Sequence, residues 1–316
     1  MKYTPVKLRP AYKDYLWGGL RLKSEFNKNC DLERLAESWE LSAHKDGQSR
    51  IAGGVHDGLT LSAYLDIVGH AVLGTSCQKY DYFPLLIKLI DAKGDLSVQV
   101  HPSDDYALAH EGEYGKTEMW YILDCEEGSS LYYGFSKDVT REAYESAIRD
   151  GRLTEILNQV PVKRGDVFFI PAGTVHAIGA GILICEIQQN SNTTYRVYDY
   201  NRRDKDGNLR PLHIEKALEV SCLDKSPALP EIPDGDNVLL ASCSYFEVRR
   251  LRINGEGRIA VGEDSFISLM VTEGGGSLFF DGGRLDFAKG DSLLIPAQAA
   301  NFRIAGKCEI IQSKVN

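Results

Sequence analysis

A chain of 316 residues, 43% hydrophobic and 26% charged, holds enough apolar material for a substantial core in one large or two smaller domains, and its charge content excludes intrinsic disorder. Its 45 acids against 36 bases give a net charge of −9. That balance argues against nonspecific nucleic-acid binding, which depends on basic surface displacing counterions, and it admits an anionic small substrate only where a local basic cluster overcomes the overall field.

The opening residues, MKYTPVKLRPAYKDYLWGG, contain no apolar run of signal-peptide length, and no stretch reaches the length of a transmembrane helix. A soluble, cytoplasmic protein without a membrane partner is expected. The seven cysteines, at 30, 77, 125, 185, 222, 243 and 308, form no CxxC pair, so they read as mostly buried, reduced thiols.

In chain order, residues 59–73 (LTLSAYLDIVGHAVL) carry Leu61, Tyr64, Leu65, Val68 and Val72 at spacings of three and four, which predicts an amphipathic helix. FPLLIKLID follows as a strand. Ser97-Val98-Gln99-Val100-His101-Pro102 is a further strand in which Gln99 and His101, two apart, share a face. That face is either a barrel interior, where two polar groups need a partner, or open to solvent. Gly115-Lys116-Thr117-Glu118 leads into an apolar strand. Lys116 and Glu118 also share a face, as a functional pair or as a surface ion pair. TREAYESAI from Thr140 predicts a helix ending before Gly151, with LTEILNQV as a short helical partner.

Residues 163–176, KRGDVFFIPAGTVH, comprise a Gly-Asp turn, a strand ended by Pro171 and a bend at Gly173 that delivers His176. GILICEIQQ and TTYRVYD are strands. In the latter, Thr194, Arg196 and Tyr198 are expected on one face. Residues 224–237, with three prolines, read as a linker to a shorter strand-rich segment, 238–316. There 288–301, AKGDSLLIPAQAAN, repeats 163–176 with Asn301 in place of His176. Aligning GSSLYY with GGSLFF sets Glu118 opposite Ser265. The strands indicate an all-β barrel or sandwich, and the motif Gly165-x5-Pro171-x-Gly173-x2-His176, which resembles the second motif of cupins, implies a mainly β architecture of two cupin-like (jelly-roll) barrels with a few helical insertions. The expected domains are 1–223 (an N-terminal segment plus a metal-binding barrel from about residue 80) and a metal-free barrel at 238–316.

Gln99, His101, Glu118 and His176 together offer one amide, two imidazoles and one carboxylate, a set suited to zinc but not exclusive of other divalent metals. LRPAYKDYLWGG, LAESWELSAH, FPLLIKLIDAKGDLSVQVHP, GKTEMWYIL, GDVFFIPAGTVHAIG and EIQQNSNTTYRVYDY, in this order, resemble the short bacterial form of type I mannose-6-phosphate isomerases. The resemblance implies one zinc per chain held by Gln99, His101, Glu118 and His176, an essential arginine at Arg196, and a sugar-phosphate substrate.

Lys116 is the second candidate catalytic residue. Ser42 and Lys88 are weak candidates for the phosphate, with Arg202 and Arg203 weaker still. The alternatives are an iron dioxygenase built on His101, Glu118 and His176, or a non-catalytic sugar-binding cupin. Monomer and homodimer fit the sequence equally.

Overall fold

Alternating apolar residues in short runs, broken by Gly, Asp and Pro, produce a mainly β protein with a few helices. The computed structural model describes residues 3–203, 207–298 and 300–316. Thr60 Oγ1 accepts from Ala63 N–H and starts the helix Leu61–Val68. Gly69, at φ 88°, ends it, and a 3-10 turn His70–Leu73 follows, so the continuous helix expected over 59–73 is two pieces. Thr140 caps Arg141–Arg149 in the same way. LTEILNQV divides: only Leu153–Ile156 is helical, while Leu157–Pro161 is a strand antiparallel to Ser130–Phe135 with Val160 opposite Leu131. Pairing that buries Leu157 outweighs the weak helical preference of those residues.

The chain forms two compact units, one of residues 14–19 and 90–230, the other of 3–13, 20–89 and 231–316. The break near 230 falls within the proline-rich stretch, but of the N-terminal segment only residues 14–19 group with 90–230, where the expectation put all of it. Val6–Arg9 pairs with Ser292–Ile295 on one side and Arg50–Ala52 on the other, joining it to the C-terminal strands.

In the 14–19/90–230 unit, one sheet runs Leu157–Pro161, Ser130–Phe135, His176–Ala177, Val98–Val100, Tyr195–Tyr198, all antiparallel. Glu118–Cys125 pairs with Val167–Ile170 and with Ile182–Gln189. The two sets of strands face each other, since His176 on the first approaches Glu118 on the second to 3.3 Å. The outer face of the five-stranded sheet (Val98, Val100, Ala177, Tyr195, Val197) packs under Tyr144 and under Ala217 and Leu218 of the helix Ile214–Val220. Polar residues on the inner face are thereby held between sheets.

In the other unit an eight-stranded sheet contains Glu247–Val261, Ile267–Phe280, Ser292–Ile295 and Ala300–Lys314 around an apolar core that includes Leu269, Leu293, Phe302 and Ile310. Ile170 lies opposite Glu118, and the matching Ile295 lies opposite Ile267. The residue equivalent to Glu118 is therefore Ile267, not Ser265: the first hairpin carries two more residues between strand start and Leu131 than the second does before Leu278.

All seven cysteines stand as thiols. Only Cys77, Cys185 and Cys308 are buried, and Cys222 is exposed.

Gly173 sets where His176 emerges. It has φ +89°, and an added Cβ would lie 2.9 Å from the Val220 carbonyl oxygen. Gly173→Ala should destabilise the protein by about 1–3 kcal/mol, from left-handed strain plus that contact. Urea unfolding checks this, and a loss under about 0.5 kcal/mol would contradict it.

Candidate metal centre

Three loops with backbone groups hydrogen-bonded to one another build the centre. Lys116 N–H donates to Pro102 O (3.0 Å), Gly173 N–H to His101 O (2.8 Å) and Ala172 N–H to Thr117 Oγ1 (3.3 Å). Gly115 must be glycine, because a Cβ there would sit 2.4 Å from the Ser103 carbonyl carbon. QVHP, GKTE and PAGTVH, distant in sequence, are thus fixed to each other by two backbone–backbone bonds and one to the Thr117 hydroxyl.

His101, Glu118 and His176 are at most 1% exposed, and their donor atoms lie within 4.8 Å of one another. His101 Nε2 is 3.6 Å from Glu118 Oε2, and His176 Nε2 is 3.3 Å from Glu118 Oε1. Donors about 2.05 Å from a tetrahedral ion would be about 3.3 Å apart, close to both carboxylate–imidazole separations. Each imidazole spends its Nδ1–H on a backbone carbonyl, Thr193 O at 2.9 Å for His101 and Thr174 O at 2.8 Å for His176. That leaves both Nε2 lone pairs aimed at the carboxylate, the usual outer-shell arrangement of metal-ligating histidines. Burial pushes the His176 pKa down to about 4, which keeps the ring in the neutral form a ligand requires.

Gln99 is half-buried, with its amide nitrogen 3.4 Å from His176 Nε2. An amide flip would present the oxygen instead. Lys116 Nζ lies 2.8 Å from Glu118 Oε2 and 3.0 Å from His101 Nε2, and the side chain is 5% exposed. Neither the solvent-facing reading of Gln99 and His101 nor the surface ion-pair reading of Lys116 and Glu118 survives this burial. A buried charge pair costs several kcal/mol of desolvation per ion, so it is poor evidence of a purely stabilising role.

Arg196 lies opposite Gln99 across the ladder, and Gln99 lies opposite His176, so all three share the inner face. A bulge after Arg196 brings Tyr198 opposite Val98, so Tyr198 departs from the expected common face and packs on the apolar cluster outside. Arg196 does not take Asp199 as partner. The Asp199 carboxylate is held by Arg202 and Arg210, and these hold its pKa below the usual carboxylate range against its burial. Arg203 is exposed and donates to Gly207 O.

Ser42 and Lys88 belong to the other unit. Ser42 Oγ donates to Gly47 O, and Lys88 Nζ faces Glu37 at 3.8 Å and the Trp39 ring at 5.2 Å, so both are engaged within that unit.

Two further residues line the inner face. Gln188 is opposite Glu118, and Glu186 is opposite Trp120, whose indole N–H donates to Glu186 Oε2 at 2.9 Å while its ring meets His176 edge-on. A Glu and a Gln two apart in the apolar strand GILICEIQQ carried the same signal as Gln99 and His101.

The model for the phosphomannose isomerase type I catalytic domain matches residues 6–128, and that for the mannose-6-phosphate isomerase cupin domain matches 237–315. The mannose-6-phosphate isomerase ManA of Bacillus subtilis is 40% identical over 322 residues, covering 99% of each chain. The chain belongs to the type I phosphomannose isomerase family. The mannose-6-phosphate isomerase of Streptococcus mutans is 38% identical, covering 99% of this chain and 98% of that one. Among solved structures, the mannose 6-phosphate isomerase of Bacillus subtilis has a TM-score of 0.91 at 36% identity, covering 98% of this chain and 99% of that one. The apo phosphomannose isomerase of Salmonella typhimurium, with a TM-score of 0.79 at 17% identity, covers 99% of this chain and 100% of that one and shares the fold. No helix among the described residues is long and apolar enough to cross a membrane.

For a type I isomerase site of this geometry, chelator-stripped protein titrated with zinc should gain thermal stability, about 2.7 kcal/mol at a hundredfold excess over Kd. Glu118→Gln should lose that gain, because a neutral amide replaces the only anionic donor among the three. Thermal melts with and without zinc check it. An unchanged shift in the variant would show that the ion binds elsewhere.

Proposed function

We propose that the protein is a mannose-6-phosphate isomerase that interconverts the aldose and fructose 6-phosphate through a cis-enediol, with one zinc ion per chain, in the cytoplasm. The observation that carries this reading is the buried convergence of His101, Glu118 and His176 with Lys116 beside them, in a chain of this family. We also read the two strand-rich units as cupin-like barrels, with Ile267 at the Glu118 position as the reason the second would hold no ion.

The two sugars differ in carbonyl position. A proton leaves C2 of mannose 6-phosphate, a proton is delivered at C1, and a hydroxyl proton passes from O2 to O1. Zinc held by Gln99, His101, Glu118 and His176 would supply Lewis-acid polarisation of the sugar oxygens.

Lys116 Nζ, between His101 and Glu118, is within reach of an oxygen bound at that centre and can hold or donate a proton there. Arg196 adds a guanidinium from the same inner face as Gln99 and His176, where negative charge develops on the enediol oxygens. Its Nη1 donates to Pro211 O at 3.0 Å, whereas its buried Nε–H has no acceptor among the described residues. A donor left over in this way suits a group that meets its partner only when substrate is present. The family membership, with the lysine and arginine alongside the donor set, favours isomerisation over the iron-oxygenase and binding-protein alternatives.

A coupled assay for fructose 6-phosphate formation, run with and without chelator, tests the activity. Arg196→Ala should lower kcat about 10²-fold with a much smaller change in KM, because the lost interaction belongs to the transition state. Metal content and Tm should remain near those of the parent protein, since Asp199 is engaged by other arginines. A near-normal kcat in this variant would remove Arg196 from the mechanism, and no isomerase activity in the metal-loaded parent would overturn the proposed function.

A further inference from the structure

Tyr195–Tyr198 is an edge strand: Val98–Val100 pairs with it on one side, and among the described residues no strand does on the other. An edge residue ordinarily leaves its outward N–H and C=O to water, and the strand is correspondingly free to twist. Arg196 is an exception. Its backbone N–H donates to His213 Nδ1 at 3.1 Å, and its carbonyl accepts from His213 N–H at 2.8 Å. One histidine thus supplies both a donor and an acceptor, as a neighbouring strand would, at the residue that carries the guanidinium. The same segment holds the far end of that side chain through Pro211 O.

The position of His213 in the sequence makes this use of its ring informative. It is the N-cap of the helix Ile214–Val220, where a side chain ordinarily bonds its own helix's free N–H groups, yet it makes no such bond. The ring turns to the strand instead. With both outward backbone groups of Arg196 taken by His213, the Arg196–Gln99 pair is of the non-hydrogen-bonded kind, in which side chains stand closer together.

We propose that His213 is the positioning residue of Arg196, clamping the backbone of the edge strand so that the guanidinium is held in register with Gln99 and the metal-binding face. The inference rests on the reading that Arg196 acts in the reaction. The guanidinium stands several bonds from the Cα, so a small strand rotation displaces it by about 1 Å, a misplacement that can cost on the order of 10²-fold in rate.

The clamp requires an unprotonated Nδ1 and hence the Nε2–H tautomer. The surroundings favour the neutral ring. Burial lowers the His213 pKa, the charges of Arg196 on the adjacent strand and Lys216 on its own helix lower it further, and Glu111 opposes them. Glu111 is itself engaged by Tyr195 Oη–H and Lys216, and the Tyr195 ring packs near the imidazole.

Three measurements on the full-length metal-loaded enzyme test the proposal. In ¹⁵N-histidine-labelled protein at neutral pH, His213 Nδ1 should resonate as an unprotonated nitrogen. A protonated Nδ1 would overturn the clamp whatever the activity. His213→Leu, which keeps the backbone N–H to Arg196 but removes the acceptor, should lower kcat about 10-fold with KM within about twofold and metal content unchanged. His213→Asn, whose Oδ1 can take the place of Nδ1, should recover kcat to within about threefold of the parent.

Parent-like kcat in His213→Leu alongside a disabled Arg196→Ala overturns the positioning role alone. Parent-like kcat in Arg196→Ala overturns the reading of Arg196, and the positioning role with it. If His213→Leu does not fold, the ¹⁵N spectrum and the His213→Asn kinetics decide.

Discussion

An acidic side chain fully removed from solvent organises the unit of residues 14–19 and 90–230. Glu118 begins a strand whose next residues, Met119, Trp120, Tyr121 and Ile122, are all buried, so its carboxylate cannot reach bulk water. Ionised, such a group is tolerable only where positive charge or strong donors converge on it. Lys116 supplies positive charge at 2.8 Å, while the two neutral imidazoles turn Nε2 lone pairs toward the carboxylate, an arrangement that a cation among them would satisfy; the three segments hold this geometry because the backbones of QVHP, GKTE and PAGTVH are cross-bonded. The chain places these groups by local rules: a glycine where two backbones nearly touch, a left-handed glycine where a strand must bend, and carbonyls that fix each histidine tautomer.

The positive charge around the site is divided between two tasks. Arg202 and Arg210 converge on Asp199 and close the loop that follows the edge strand. Arg196, from the same stretch, faces inward and is left with a buried donor unspent. Its guanidinium is disfavoured as a charge by burial and by Arg210 and Arg202 beside it, with Asp199 opposing. Under the proposed reaction, an arginine held against its own desolvation would meet negative charge that arrives with substrate. In a chain whose net charge is −9, it would also be part of a local excess of guanidinium able to receive an anion.

The repeated Gly-Asp-strand-Ile-Pro-Ala segments occupy corresponding places in their pairing partners, yet their chemistry differs. Opposite Ile170 stands a carboxylate. Opposite Ile295 stands Ile267, in an apolar core. Strand and turns are maintained by packing and backbone bonding, which both segments possess, whereas the polar residues gathered on the first are not needed for either.

The sequence by itself determined the strand-dominated character of the protein, the turn residues, the capped helix after Thr140 and the residue types that converge on the metal centre. Those features depend on neighbours close along the chain or on motifs with distinctive spacing. Alternation of period two, however, reads the same whether a face meets water or another sheet. Gln99 with His101, and Lys116 with Glu118, became interior groups only when the second set of strands closed over them, and Glu186 and Gln188 stayed inconspicuous in a strand buried on both sides.

The fate of residues 157–161, the grouping of the N-terminal segment with the C-terminal strands and the pairing of Asp199 with Arg202 and Arg210 were likewise decided by tertiary structure. Each depends on which distant segment supplies the backbone bonds or the opposite charge. Hydrogen-bond and charge requirements can be counted along a sequence, but the partner that satisfies them is chosen only when the chain folds back on itself.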